Sequence, residues 1–240
     1  MSLVILDNCS TDQTSSEIAY LRSRFPKIEC HRIKDYRDSH QYISPYVGTD
    51  TWAFGVDGDE IYDPIGLQKF REKLLNGTYN RHWTIFGNAV HCVAVELDKG
   101  MAVGYQTPPC RSMTKLFNFS ALESWHGTFE RFHGDNKIFR SGFDEGQRLS
   151  LYEKYAWEMA WFRCLHLCFV RRSTGEKKGS MSRLQPDEKP EWLKLMDKAG
   201  FGWLFAKVIQ QRSSPWKDER YRRGKLVTVD TASFFPRHVS

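Results

Sequence analysis

The sequence predicts an α/β fold, with a mixed, mostly parallel sheet flanked by helices and a C-terminal extension of helices and loops. Three observations support this fold class. Short apolar segments alternate with amphipathic ones through the first half of the chain, which is typical of strand–helix–strand units. The apolar segments are continuous, as expected for strands that are buried on both faces. Acidic clusters directly follow two of them, at the strand ends where such sheets bind ligands.

Turn and capping residues define the predicted elements of the first half. Residues 3–6 form a strand that ends in the polar turn 7–12, and a helix over 13–25 stops before Pro26, which cannot continue it. Asp63 is placed to cap a helix over 64–75, which ends at Gly77. The other predicted elements are strands at 28–33, 51–56, 83–86, 90–95 and 115–119 and a short helix at 41–46.

The second half is predicted to be less regular. Residues 100–104 and 107–110 are rich in glycine or proline and indicate loops, whereas residues 151–162 indicate a buried helix. Beyond residue 170 the chain becomes more polar, with a loop at 171–190 and two short apolar helices within 190–211. We therefore expect a main domain at 1–170 and an extension at 171–240 that packs on it.

Composition excludes several classes of protein. The 240 residues are 40% hydrophobic and 27% charged, which is too apolar for a disordered chain and too polar for a membrane protein. No segment approaches the ~20 apolar residues of a spanning helix, and the first residues lack the basic and long apolar regions of a signal peptide. The six cysteines are scattered through a chain large enough to fold without disulfides. We therefore predict a cytoplasmic protein with reduced thiols.

Charge is distributed unevenly along the chain. Residues 1–120 carry a net charge of −1, whereas residues 121–240 carry +7. A basic half predicts an anionic partner such as nucleotide phosphates or a membrane surface, and a solvated basic face is the alternative. The basic stretch 212–225 and the aromatic residues between 192 and 205 are compatible with two arrangements. This part of the chain either contacts the surface of an anionic membrane or packs on the sheet. No recognised module predicts nucleic-acid binding.

The segment after the strand at 51–56 has the chemistry of a metal site. Asp57 and Asp59 flank Gly58, which permits a tight turn and leaves room for a phosphate. Two carboxylates of this kind suit Mg²⁺ or Mn²⁺, which take carboxylate and phosphate oxygens. A solvated turn is the alternative. Cys164 and Cys168 bracket His166, but no second Cys/His pair stands at zinc-site spacing, so the sequence does not predict a structural zinc.

Two segments together resemble family 2 glycosyltransferases. VILDNCSTDQT at 4–14 resembles the "VVDNGSTDGT" segment of that family, and WAFGVDGDE at 52–60 resembles its metal-binding DxD strand. The resemblance implies a GT-A fold, a nucleotide-diphosphate sugar donor, Mn²⁺ or Mg²⁺ as cofactor, and an inverting transfer to a saccharide or other hydroxyl acceptor. Family members begin with an earlier strand, so we expect the donor pocket to lack that strand beside residues 3–6.

The resemblance also implies roles for particular residues. Asp7 corresponds to the acid that contacts the nucleotide base, and Asn8 beside it joins the donor-binding set. Asp57 corresponds to the first acid of the DxD motif, near the ribose and the metal. Asp59 corresponds to the acid that binds the metal holding the diphosphate.

A later segment supplies further donor-binding residues. LHLCFVRRS at 165–173 resembles the "NHY…(K/R)S" stretch of some relatives. His166 would then join the metal ligands Asp57 and Asp59, and an ordinary core histidine is the alternative. Donor phosphate would be held by the basic residues that follow, which are Arg171, Arg172 and Lys177.

The acceptor side of the site is predicted from residues 115–130. KLF at 115–117 and WHGTFE at 125–130 resemble the family's acceptor region, which makes Glu130 the candidate general base. Asp135, Asp144 and Glu145 are the competing candidates. The sequence thus predicts a metal-dependent glycosyltransferase, with a catalytically degenerate glycan- or partner-binding domain and a sugar nucleotidyltransferase as alternatives.

Overall fold

The computed structural model describes residues 2–112, 115–126, 136–170 and 220–236. The helices are α1 (Thr14–Arg24), α2 (His40–Ile43) and α3 (Pro64–Leu75). The strands are β1 (Leu3–Asp7), β2 (Ile28–Arg32), β3 (Trp52–Gly55), β4 (Glu60–Tyr62), β5 (Thr84–Phe86), β6 (Asn88–Glu96), β7 (Met101–Gln106), β8 (Lys115–Asn118), β9 (Leu122–His126), β10 (Asn136–Phe139), β11 (Arg148–Ser150), β12 (Arg163–His166) and β13 (Leu226–Asp230). Short 3₁₀ helices lie at Tyr36–Ser39, Ser44–Tyr46, Phe119–Ala121, Leu151–Glu153 and Trp157–Met159.

The α/β class is confirmed, but the strand directions differ from the prediction. Of the nine strand pairings between described residues, three are parallel: β1 with β2, β5 with β11, and β6 with β12. The other six are antiparallel. A mostly parallel sheet is therefore wrong for the described part of the chain. Hairpins such as β6–β7 are one reason, because a short turn can join only antiparallel strands.

The chain divides into two compact units, each drawn from several parts of the sequence. The first comprises Met1–Val56, Phe70–Phe86 and Thr114–Ser150. It holds the parallel pair β1–β2, the antiparallel pair β9–β10 and a four-stranded sheet in the order β11-β5-β8-β3. Its core cluster consists of Trp83, Phe117, Phe119, Ala121, Leu122 and Trp125.

Strand β1 is less buried than its continuous apolar sequence predicts. Leu3 is 50% exposed, and the next three residues are only partly buried. Among the described residues β1 pairs with β2 alone, in a register that sets Leu3 opposite Ile28. The predicted strand is confirmed, whereas burial on both faces is wrong for the part of the chain that the structure describes.

The second unit comprises Asp57–Lys69, Gly87–Met113 and Leu151–Ser240. It contains a five-stranded sheet in the order β13-β7-β6-β12-β4. The boundary predicted at residue 170 falls inside this unit, because β12 before it and β13 after it belong to the same sheet. The core cluster of this unit consists of Val90, Cys92, Ala102, Trp157, Leu165, Val229 and Phe234.

Asp63 caps α3, as predicted, and also pairs with the partly buried Arg163. Its Oδ1 accepts a hydrogen bond from the Gly66 amide at 2.9 Å. Its Oδ2 accepts from Nη2 of Arg163 at 2.7 Å and from Nε at 3.0 Å. Asp63 is only 3% exposed, so the two-point ion pair is well shielded from water. One carboxylate thereby joins the start of α3 to the first residue of β12.

The predicted helix at 151–162 is wrong. Two 3₁₀ helices lie there instead, and the extended backbone of Ala156 separates them. Trp157 is buried, whereas Met159 is 71% and Trp161 41% exposed. Apolar residues at 151, 155, 159 and 162 do have helical spacing, but Tyr155 and Met159 are exposed, so this face is not buried as a helix would require.

The predicted loop at 100–104 is also wrong, because strand β7 begins at Met101. Gly100, with φ of +63°, serves as the turn residue before the strand. Gly104 lies inside the strand, where a Cβ atom would come within 2.5 Å of the carbonyl oxygen of His91. This glycine therefore marks a close approach of two backbones and not a loop.

The loop and helices predicted within 171–211 lie outside the described residues. Among the helices that are described, none has both the length and the apolar character needed to cross a membrane.

Candidate metal centre

Three neighbouring strands of the second unit place polar side chains in one row across the sheet. His166, at the end of β12, pairs with Glu60 of β4 on one side and with His91 of β6 on the other. All three residues are buried, with exposures of 4%, 8% and 0% for His166, Glu60 and His91. Side chains of directly paired residues lie on the same face of a sheet, so the register itself assembles this row.

The two histidines are in direct contact through their Nδ1 atoms, which lie 2.9 Å apart. Nε2 of His91 lies 2.8 Å from the carbonyl oxygen of Arg111. Because a carbonyl oxygen only accepts, Nε2 of His91 carries the proton of that bond. Burial, together with the nearby His166, lowers the pKa of His91 to about 3, so its ring is neutral at pH 7. Nδ1 of His91 therefore presents a lone pair to His166.

His166 also faces the acidic turn. Its Nε2 lies 3.9 Å from Oδ1 of Asp59, which is too far for a hydrogen bond. Two ligands of one divalent ion, each about 2.1 Å from it, lie roughly 3–4 Å apart. The carbonyl oxygen of Asp59 accepts from the Leu167 amide at 2.7 Å, which fastens the turn to the end of β12. An imidazole nitrogen and a carboxylate oxygen are thus placed so that one cation can bind both.

Glu60 organises the turn that carries the two aspartates. Its Oε2 accepts from the amide of Asp57 at 3.0 Å and from the hydroxyl of Tyr62 at 3.2 Å. The carbonyl oxygen of Asp57 in turn accepts from the Glu60 amide at 3.0 Å. These bonds hold the Asp57–Glu60 turn in one conformation, which is the support that paired metal ligands need.

Cys168 lies beside the histidine pair. Among the described residues one group of three His, Cys, Asp or Glu side chains has its ligand atoms within 4.8 Å of one another, and it is His91, His166 and Cys168. Asp57, Asp59 and His166, the predicted ligands, do not meet as closely in this part of the chain. His91 and Cys168 were not predicted as ligands. The sequence signal for His91 is a histidine inside the apolar segment 90–95, where a polar side chain needs a partner.

Tyr221, a buried aromatic residue in the basic segment 220–223, lies beside both histidines. The Tyr221 ring lies 4.5 Å from the His91 ring and 5.6 Å from the His166 ring. Next to it, the guanidinium of Arg222 lies 4.3 Å above the ring of Phe169. Arg222 is exposed, and so is Arg223. Positive charge therefore stands near the candidate metal ligands, where it favours an anionic ligand.

Asp7 and Asn8 belong to the first unit and stabilise its β1 turn. Oδ1 of Asp7 accepts from the Ser10 amide at 3.0 Å, and the side-chain amide of Asn8 can donate to the Lys34 carbonyl at 3.1 Å when its nitrogen is turned toward that oxygen. Hydrogen bonds from Ser10 and the charge of Arg32 lower the pKa of Asp7. The role of both residues in donor binding stays a prediction.

Other predicted site residues, namely Glu130, Arg171, Arg172 and Lys177, lie outside the described residues, as does Asp135. Asp144 and Glu145, the remaining candidates for the general base, lie in a turn. Oδ1 of Asp144 accepts from the Gly146 amide at 2.7 Å, and Glu145 pairs with Arg148. Both carboxylates therefore have local structural roles.

Comparison of the chain with protein-family models, with curated proteins and with solved structures finds no match.

Proposed function

We propose that this protein is a metal-dependent glycosyltransferase that moves a sugar from a nucleotide-diphosphate donor to a hydroxyl acceptor. The observation that carries the proposal is the approach of His166 Nε2 to Asp59 Oδ1, at 3.9 Å, beside the braced turn that also holds Asp57. The turn has the sequence of the family's DxD motif, and the imidazole comes from the segment in which that resemblance places a metal ligand.

The metal-ligand atoms of this site fit Mn²⁺ better than Mg²⁺. Carboxylate oxygens suit both ions, but a neutral imidazole nitrogen is a better ligand for a transition metal. The ion would be held by Asp59 and His166, with Asp57 alongside. When bound, it would neutralise the negative charge that develops on the departing nucleoside diphosphate.

The protein's own groups would supply orientation and charge. Glu60 holds the turn through the Asp57 amide, so the carboxylates need little reorganisation to receive an ion. Arg222 is exposed and lies over Phe169, next to Cys168 in the chain, so it can pair with phosphate oxygens. In-line displacement further requires a base on the opposite side of the sugar to take the acceptor proton. Glu130 stays the candidate for that base.

Calorimetry with nucleoside diphosphates tests the proposal. Uridine, guanosine and thymidine diphosphates are titrated into metal-free protein with and without Mn²⁺. We expect one of them to bind only with Mn²⁺, and we expect Asp59→Asn to weaken that binding by more than about tenfold, because one metal ligand loses its charge.

Asp98→Asn is the matched control. Asp98 is an exposed residue of the same unit, in the turn between β6 and β7, so its substitution should leave the affinity unchanged. Equal nucleotide affinity with and without Mn²⁺, or full affinity in Asp59→Asn, would contradict the proposal.

A further inference from the structure

We propose that His91, His166 and Cys168 form a binding site for a thiophilic divalent cation such as zinc. This site shares His166 with the proposed site at Asp59 but uses a thiolate in place of carboxylates, and its existence does not depend on the transferase function. Three features of the molecule support this site: the ligand atoms converge, His91 has a hydrogen-bond acceptor behind it, and the ligands are of the kind that zinc prefers.

The two histidine nitrogens already lie close to the spacing that zinc requires, and the Cys168 sulfur lies near them. All three fall within 4.8 Å of one another, and the two Nδ1 atoms are 2.9 Å apart. In a tetrahedral site with Zn–N bonds of about 2.1 Å, two nitrogens lie roughly 3.4 Å apart. The rings of His91 and His166 therefore need to separate by about half an ångström to receive the ion, and the Cys168 sulfur needs to come within roughly 3.6 Å of both nitrogens.

His91 has a hydrogen-bond acceptor behind the nitrogen that would not bind the metal, because its Nε2 lies 2.8 Å from the Arg111 carbonyl oxygen. Nε2 of His166 faces Oδ1 of Asp59 at 3.9 Å, which is beyond hydrogen-bond distance. Histidines that bind metals through one nitrogen characteristically donate the other N–H to a carbonyl or carboxylate oxygen.

This arrangement defines the tautomers that a cation would select. With a proton on each Nε2, the two Nδ1 atoms turn their lone pairs toward each other across 2.9 Å. That contact is repulsive unless a positive charge lies between the nitrogens, and a zinc ion provides it. The competing arrangement places a single proton between them, donated by Nδ1 of His166, and it leaves no room for an ion.

The ligand types distinguish zinc from the ions expected at the acidic turn. Two imidazole nitrogens and a thiolate suit Zn²⁺ or Co²⁺, whereas Mg²⁺ and Mn²⁺ favour oxygen ligands. Cys168 is partly exposed, whereas both histidines are buried. A neutral imidazole has one lone pair, so His166 can bind zinc through Nδ1 or an ion beside Asp59 through Nε2, but not both.

Metal titration of the full chain, without any nucleotide, tests the site. We expect metal-free protein to bind one Zn²⁺, and we expect Co²⁺ at the same site to give the intense near-ultraviolet band of thiolate-to-cobalt charge transfer. Cys168→Ser should remove that band and lower the zinc affinity by more than about 100-fold. Loss of a residue that only supports a metal ligand lowers metal affinity by about 10–100-fold, and loss of the ligand itself should have a larger effect. His91→Gln should lower the affinity similarly.

Cys9→Ser is the matched control, because Cys9 is an exposed free thiol of the first unit. It should keep both the cobalt band and the zinc affinity of the wild type. Circular dichroism establishes that each variant is folded, and Cys168→Ser is the decisive one because Cys168 is only partly buried. Unchanged zinc affinity in Cys168→Ser, or no cobalt band in the wild type, would overturn the proposal. Because no nucleotide is present, that result would leave the transferase proposal untouched.

Discussion

Single carboxylates in this protein are held by the backbone amides of their own turns. Glu60 accepts from the amide of Asp57, and Asp7 accepts from the amide of Ser10. Both acids are buried, at 8% and 7% exposure. A buried carboxylate is tolerated because such bonds favour its charged form, and the lowered pKa of Asp7 reflects this.

The pH dependence of stability should reveal the contribution of Asp7. Its folded-state pKa lies below the unfolded value of 3.8, so its stabilisation is complete above that pH and is lost as pH falls through the folded-state pKa. We expect Asp7→Asn to reduce the free energy of unfolding by about 1 kcal/mol at pH 7. Urea denaturation of both proteins between pH 7 and pH 3 measures the difference, which should shrink below pH 3.8. A difference that stays constant across this range would show that the charge of Asp7 contributes nothing.

Among the elements, strand β7 can lie close to strand β6 because Gly104 has no side chain. A Cβ atom on Gly104 would lie 2.5 Å from the carbonyl oxygen and 2.7 Å from the carbonyl carbon of His91. Both are backbone atoms, which cannot move aside as a flexible side chain can. Gly104 therefore allows β7 to lie close against β6, the strand that carries His91.

Substitution of Gly104 should therefore be costly. We expect Gly104→Ala to destabilise the protein by about 1–3 kcal/mol, because the added methyl group forces the two strands apart. Gly58→Ala is the control, since a Cβ atom there would meet no atom within 4 Å, and it should change stability by less than about 0.5 kcal/mol. Denaturation midpoints of the two variants give the comparison. Equal effects would mean that the β6–β7 approach adjusts without strain.

For the whole molecule, net charge and metal chemistry point to the same kind of ligand. The chain carries a net charge of +6, and residues 121–240 contribute +7 of it against −1 from the rest. The acidic turn at Asp57–Glu60 can hold a diphosphate only through a cation. A metal-bound nucleotide therefore suits both the acidic turn and the basic second half of the chain.

Chelation should therefore stop the reaction of the intact protein. We expect EDTA to abolish consumption of the nucleotide-sugar donor, and we expect Mn²⁺ in excess of the chelator to restore it, because the diphosphate then regains its counterion. Chromatography of released nucleoside diphosphate measures both steps. Metal-dependent binding without any donor consumption would identify a degenerate binding domain, and consumption that survives EDTA would contradict the proposed mechanism.

Local signals predicted several elements correctly. Helix α3 spans 64–75 as predicted, because Asp63 caps it and Gly77, with φ of +80°, ends it. Helix α1 and strands β2 and β3 were predicted to within two residues at each end. The antiparallel direction of β6 and β7 was missed because the glycines at 100 and 104 predicted a loop where strand β7 lies, so the hairpin was not recognised.

What the sequence alone determined is the acidic turn after β3 and the basic character of the second half, because both depend on residue type and adjacency. The tertiary structure decided which distant side chains come together in the second unit. His91 and His166 are 75 residues apart, and only the parallel register of β6 with β12 brings their Nδ1 atoms to 2.9 Å. That register depends on packing across the whole second unit, so no local motif could indicate that this pair, with Cys168, is a candidate metal site.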